Sequence, residues 1–266
     1  EDGTMESMVQ RVVRQARLAN LTEDITLATN ASQQDIIVNQ LGDSVNLVTE
    51  PERRDTFPAI ALAASYLKLA KQCADDEVVV IMPCDPYTEV GYFETIGKMV
   101  ECVKADVADL VLMGIAPTYA SEKYGYVIPM HENTSTGSAQ ADNENYKMVS
   151  RFTEKPSVEV AETFLKQGAY WNGGVFAFRL GYMMNIVRKY MSSDRFEDTR
   201  ARYSEFPKIS FDYEVAEKAE SVAVVPFNGE WKDLGTWNTL TDELHKPVIG
   251  NAVMGAHCEN THVINE

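Results

Sequence analysis

Residues 76–90 read DEVVVIMPCDPYTEV and residues 108–117 read ADLVLMGIAP. The continuous apolar run from Val78 to Met82 predicts a strand buried on both faces, as in a parallel sheet with helices on either side, and the second run predicts another central strand. A helix from about Tyr92 to Ala108 joins them. Upstream, PAIALAASYLKLAKQCA (58–74) is strongly helical, with Pro58 near its first turn, where proline is tolerated. Before it, ITLATN (25–30) and VNLVTE (45–50) are short β-rich runs separated by a helix from about Ser32 to Gln40. Met5, Met8, Val9, Val12, Val13 and Ala16 recur at helical spacing, which predicts a first helix over about Met5 to Ala19 with Thr4 as its N-cap. This alternation of strand and helix is that of a doubly wound α/β sheet.

Downstream the pieces shorten. YGYVIPM (124–130) and YKMVSRFTEKP (146–156) are extended, and HENTSTGSAQADNEN (131–145) between them has the Ser, Thr, Asn and Gly content of an exposed loop or hairpin tip. Helices at about Val158 to Gln167 and Leu180 to Tyr190 flank WNGGVFAF (171–178), where Trp171 and Phe176 read as core. FDYEVAEKA (211–219) and TWNTLTDEL (236–244) are further helical segments.

With 266 residues, 45% of them hydrophobic and 24% charged, the chain can bury a substantial core, which excludes a disordered tail. At roughly 150 residues per domain, one main domain is expected. Forty acidic residues against 24 basic ones give a formal charge of −16, the wrong sign for tracking a nucleic-acid backbone, so nucleic acid is not an expected partner. An acidic protein that handles phosphates needs a metal ion, a few placed cations or backbone N–H groups at a helix start. No apolar run approaches the roughly 20 residues of a membrane span and no signal-like segment opens the chain, so no membrane partner and a cytoplasmic location are expected. Cys73, Cys84, Cys102 and Cys258 form no metal-type spacing and read as free buried thiols; the four histidines give a catalytic triad no support.

In open α/β sheets ligands bind beyond the carboxyl ends of the strands. Asp85 directly follows the first apolar run, and Pro83 and Pro86 fix where it points. Position alone leaves a turn-forming Asp and a metal ligand both open. Asp233, in GEWKDLGTWNTL, lies between the β-like SVAVVPF and a helix that Thr236 could cap. Two carboxylates on separate loops can share a Mg²⁺ while leaving room for waters and substrate phosphates.

Read in order, EPERRDTFPAIALAASYL, VVVIMPCDPYTE, GIAPTYASEKYGYVIP, RFTEKPSVEVAETFL, YWNGGVFAF, PKISFDYEVAEKA and EWKDLGTWNTL resemble the sugar-phosphate nucleotidylyltransferases, specifically the mannose-1-phosphate guanylyltransferases. The resemblance covers nearly the whole chain. FTEKP alone is a modest signal; its placement between YGYVIP and WNGGVFAF, with WKDLGTW after them, is specific. It implies a Rossmann-like nucleotide-diphospho-sugar transferase fold with a mixed, mostly parallel sheet flanked by helices. The implied reaction joins GTP and mannose 1-phosphate into GDP-mannose and diphosphate. By resemblance Asp85 and Asp233 hold Mg²⁺ and Lys155 contacts the sugar phosphate. Gly125, Glu154 and Asn172 contact the sugar, and Glu50, with Arg54 and Thr56 beside it, reads the base. The resemblance leaves open a non-catalytic nucleotide-sugar-binding relative and an enzyme for another hexose 1-phosphate.

Two departures from the family pattern stand out. Asp85-Pro86 replaces the frequent Asp-His after the strand, retaining the carboxylate. The Gly-rich signature of the form GGxGxRLxPLS, with its PKQ, is not found before residue 5, so a first strand and phosphate loop, a βα unit of roughly 30 residues, are expected to be missing from this sequence. Residues 1–247 are expected to form the nucleotidylyltransferase domain. IGNAVMGAHCENTHVINE (249–266) resembles the start of a left-handed β-helix, giving a segment 248–266 and a homodimer as the implied assembly.

Overall fold

The computed structural model describes residues 6–130, 145–233, 241, 247–255, 257–258 and 261–264. The first helix, α1 (Met8–Leu18), starts later than its apolar spacing suggests. Its N-cap is Ser7, not Thr4, because Ser7 and Gln10 form a reciprocal capping box: Gln10 N donates to Ser7 Oγ at 3.3 Å and Ser7 N to Gln10 Oε1 at 2.9 Å. Val12, Val13 and Ala16 are its buried face.

Strands β1 (Thr26–Asn30) and β2 (Asn46–Glu50) pair in parallel, joined by α2 (Ala31–Leu41), and form a two-stranded sheet of their own. Next, α3 (Thr56–Ser65) starts on the N-cap Asp55, carries Pro58 in its first turn and ends in a π-helical turn, Tyr66–Ala70. Strand β3 (Val78–Ile81) leads through the Asp85 turn into β4 (Pro86–Thr88) and α4 (Val90–Lys104). After β5 (Leu110–Ile115) and β6 (Tyr126–Pro129) come β7 (Lys147–Thr153), α5 (Val158–Lys166), β8 (Tyr170–Arg179), α6 (Leu180–Arg188), α7 (Phe196–Ala201) and α8 (Phe211–Glu214). Then follow β9 (Val222–Phe227), β10 (Trp231–Asp233), β11 (Val248–Ile249) and β12 (Val263–Ile264); the last two pair in parallel.

The main sheet has six strands in the order β3-β8-β5-β9-β7-β6, with β8 also reaching β6. This corrects the expectation of a mostly parallel sheet. Among the described residues of this sheet only β5 and β9 are parallel neighbours; β8 runs antiparallel to β3, β5 and β6, and β7 antiparallel to β6 and β9. An unbroken apolar run reports burial on two faces but carries no information on direction, and β8 inserts between β3 and β5 against them. Strand β3 is likewise not a doubly buried central strand among the described residues: all four of its residues are half-buried, and its one ladder is with β8.

The core sits on both faces of this sheet, and the period-2 alternation of the strands deals residues to the two sides. Leu110, Leu112, Phe176, Phe178, Val222 and Val224 pack with α3 and α6. Val111, Met113, Ile115, Val175, Ala177, Ala223 and Val225 pack with α4 and α5. Trp171 and Phe176 are core, as read. The cysteines are free, but only Cys102 is buried; Cys84 and Cys258 are exposed. The segment 131–144, with His131, and residues 236–240 and 242–246, which hold most of the expected helix over 236–244, its Thr236 cap and His245, lie outside the described residues.

Candidate functional site

A short antiparallel pair brings the backbone of one candidate metal residue, Asp233, near that of the other, Asp85. Strand β10 lies against β4 with Asp233 opposite Pro86, so its Cα is placed beside the residue that follows Asp85. Directly opposed residues in such a pair have Cα atoms about 4.5–5.5 Å apart. Asp85 is exposed. The side chain of Asp233 lies outside the described set. Arg11 of α1 braces β4, with its guanidinium carbon 4.6 Å from the centre of the Tyr87 ring and Nη2 donating to the Thr88 carbonyl at 3.3 Å. Among the described residues no three His, Cys, Asp or Glu side chains form a metal cluster. A pair of carboxylates is the donor set that fits Mg²⁺, which keeps several waters and takes substrate phosphates as ligands.

A second cluster forms where β6, β7 and β8 meet. The Asn172 amide N–H donates to the Gly125 carbonyl at 2.8 Å, joining two of the expected sugar contacts. Glu154, just beyond β7, turns its side chain inward until only 6% of it is exposed. Its Oε1 is 3.0 Å from Lys155 Nζ, whereas its Oε2 is buried and has no hydrogen-bond partner among the described residues. A buried acceptor left unpaired is costly unless a ligand supplies the donor. Gly125 makes this geometry attainable, because a Cβ there would stand 2.4 Å from Glu154 Oε2 and 3.1 Å from the Phe152 ring. Gly125→Ala is therefore expected to cost about 1–3 kcal/mol in urea unfolding. Glu154→Ala in the same chain should recover most of that loss, which a double-mutant cycle measures.

Lys155 is half exposed and holds φ +45°, an unusual backbone for a non-glycine residue and more so for one preceding proline. Such outliers persist where the surroundings fix them and gather at functional sites.

Asp212, near the start of α8, carries no sequence signal of its own, although its segment PKISFDYEVAEKA belongs to the resemblance. It enters this cluster by accepting from Asn172 Nδ2 at 2.6 Å. Burial pushes the Glu154 carboxyl up, and the negative charge of Asp212 adds to this against the pull of Lys155. Burial also raises Asp212. Lys155 is raised chiefly by its hydrogen bond to Glu154. A carboxyl whose folded pKa is raised favours folding below its unfolded value and loses that advantage as pH rises through the folded value. Glu154→Gln is accordingly expected to melt at a higher temperature than the parent at pH 8 and at the same temperature near pH 4, read by differential scanning fluorimetry.

The three expected base contacts tie two segments together. Glu50 Oε2 accepts from Tyr203 Oη at 2.6 Å, and Arg54 Nε donates to the Phe206 carbonyl at 3.0 Å. Thr56 Oγ1 accepts from the Phe211 amide at 2.8 Å, and Phe57 N donates to Ile209 O at 3.2 Å. Residues 50–57 and 203–211 are thus laced into one unit whose end delivers Asp212 to Asn172. Glu50, Arg54 and Thr56 all bond within the protein, so any contact of theirs with a base would be additional to this bracing.

Residues 2–247 match the Nucleotidyl transferase family, and the chain belongs to that family. Among curated relatives it is 29% identical over 289 residues to mannose-1-phosphate guanylyltransferase RfbM of Salmonella typhimurium, covering 98% of this chain and 57% of the relative. It is 27% identical over 256 residues to mannose-1-phosphate guanylyltransferase 2 of Escherichia coli O157:H7, covering 85% and 51%. The chain thus spans about half the length of the curated relatives it matches. Among solved structures it resembles one titled mannose-1-phosphate geranyltransferase from Thermus thermophilus, with a TM-score of 0.72 and 28% identity over 92% of this chain and 72% of that one. HddC from Yersinia pseudotuberculosis complexed with GMP-PN, at 16% identity and a TM-score of 0.55 over 91% and 85%, shows the shared fold alone. These likenesses identify the nucleotide-diphospho-sugar transferase fold.

Proposed function

We propose that this chain is the nucleotidyl-transfer part of a mannose-1-phosphate guanylyltransferase, joining GTP and mannose 1-phosphate into GDP-mannose and diphosphate in the cytoplasm. The observation that carries the reading is the buried, unpaired Oε2 of Glu154 beside Gly125 and Asn172, an acceptor waiting for a hydroxyl donor. The names of the relatives supply the sugar and the nucleotide. In the domain organisation that goes with it, residues 1–247 are catalytic and 248–266 begin a β-helix that serves a homodimer.

The nucleophile, a phosphate oxygen of mannose 1-phosphate, is already an anion. It forms a bond to the α-phosphorus of GTP as the bond to the diphosphate oxygen breaks, and no proton has to be removed first. Catalysis therefore rests on aligning two polyanions and neutralising their charge. Mg²⁺ held by Asp85 and Asp233 supplies charge neutralisation at the phosphates when bound. Lys155 faces the sugar phosphate, its ammonium oriented by Glu154. Glu154 Oε2 accepts from a sugar hydroxyl, while Gly125 and Asn172 form the wall beside it. Glu50 accepts from the N1 and N2 donors of guanine, with Arg54 and Thr56 holding its loop.

Diphosphate release by the purified protein tests this. GTP with mannose 1-phosphate is expected to outpace UTP or dTTP with glucose 1-phosphate by more than about tenfold in kcat/KM, since sites that hydrogen-bond hydroxyls discriminate strongly. A faster rate with the glucose pair assigns the protein to another hexose. Nucleotide binding without turnover marks a regulatory relative.

A further inference from the structure

The side chain of Asn172 is gripped at both ends. Its Oδ1 accepts from the Gly174 amide at 3.0 Å, and its Nδ2 donates to Asp212 Oδ1 at 2.6 Å. Gly174 holds φ +70°, a left-handed backbone that glycine adopts freely. The Asn172 backbone is pinned as well, through its N–H to Gly125 O. These bonds fix which way round the carboxamide faces and, among the described residues, leave its second N–H as the donor for a ligand, next to Glu154 Oε2, an acceptor with no partner among them. Asp212 in turn is delivered by the laced segment 203–211, and Ser210 caps its helix by accepting from Tyr213 N at 3.3 Å.

We propose that Asp212 is a positioning residue for sugar recognition: its carboxylate locks the Asn172 amide so that the site offers one N–H donor and one carboxylate acceptor to neighbouring hydroxyls of a hexose 1-phosphate. This rests on the sugar-site reading above. A hydroxyl both donates and accepts, so such a pair suits a polyol ring and gives an aliphatic phosphate nothing to bind beyond its phosphate. Carboxylate-to-amide bonds are roughly twice as strong as neutral ones, so an uncharged acceptor at 212 holds the amide more loosely.

Calorimetric titration of the purified protein with mannose 1-phosphate, and separately with GTP, tests this without requiring turnover. Asp212→Asn is nearly isosteric and keeps an oxygen facing Asn172; its Kd for mannose 1-phosphate is expected to rise about three- to tenfold. Asp212→Ala removes the acceptor and is expected to cost about ten- to a hundredfold. GTP affinity should stay within twofold in both, which a general loss of structure would not allow. The graded recovery from Ala to Asn is the signature of a positioning bond. Asp212→Asn binding mannose 1-phosphate as tightly as the parent, or weakening both ligands equally, overturns the proposal while leaving the sugar reading intact. A parent protein that binds no hexose 1-phosphate overturns that reading and this proposal with it.

Discussion

Asp85→Asn and Asp233→Asn are each expected to lower turnover by on the order of a thousandfold or more in steady-state diphosphate release, with little change in melting temperature. The neutral amide keeps the size of the carboxylate but loses the charge that binds a hard cation. Asp85 is exposed on a turn stiffened by Pro83 and Pro86, so the substitution removes no packing. Asp233 is tested beside it because β10 sets its backbone opposite Pro86. A chelator should abolish parental activity, and added Mg²⁺ should restore the parent but neither variant. Either variant retaining more than about a tenth of the parental rate would remove that residue from the metal site.

Lys155→Met should be the next most damaging change, lowering kcat/KM for mannose 1-phosphate by about a hundredfold or more while leaving the KM for GTP nearly unchanged. Two effects add. The ammonium proposed to face the sugar phosphate disappears, and Glu154 and Asp212 lose the cation that opposes their mutual repulsion. The latter raises the Glu154 pKa further, so the variant's activity should respond to pH at higher values than the parent's. Lys155→Arg is not expected to rescue, because a planar five-donor guanidinium does not replace a compact ammonium as a point charge. Equal losses toward GTP and mannose 1-phosphate would show that Lys155 serves the fold and not the sugar side.

Much of this architecture was legible in the chain because burial leaves a periodic trace. The runs at Val78–Met82 and Leu110–Ile115 mark strands, and ITLATN and VNLVTE bracket α2 nearly to the residue. Strand direction was not legible. β8 is as apolar as a parallel strand because it is covered on both faces, yet it runs against β3 and β5. That β3 pairs with β8 alone among the described residues was equally hidden, since an apolar run does not say how many of its sides are paired. At the first helix, Thr4 and Ser7 are chemically equivalent caps, and what selects Ser7 is Gln10 reaching back to it.

The site divides in the same way. Glu154 and Lys155 could be picked out from FTEKP by resemblance, but the wedging of Glu154 against Gly125 comes from a meeting of β6, β7 and β8 that sequence spacing cannot show. Asp212 is inconspicuous in the sequence because an acid in the first turn of a helix is ordinarily a dipole complement; its bond to Asn172 spans 40 residues of chain. By resemblance Glu50, Arg54 and Thr56 are base contacts, and their partners at Tyr203, Phe206 and Phe211 add a bracing role that no local pattern shows.

The most direct test is a crystal structure of the protein with GDP-mannose and Mg²⁺. A mannose hydroxyl is expected within hydrogen-bond distance of Glu154 Oε2, and a cation about 2.0–2.1 Å from carboxylate oxygens of both Asp85 and Asp233. A sugar bound elsewhere, with Glu154 Oε2 still unpaired, or a cation held without either aspartate, would contradict it.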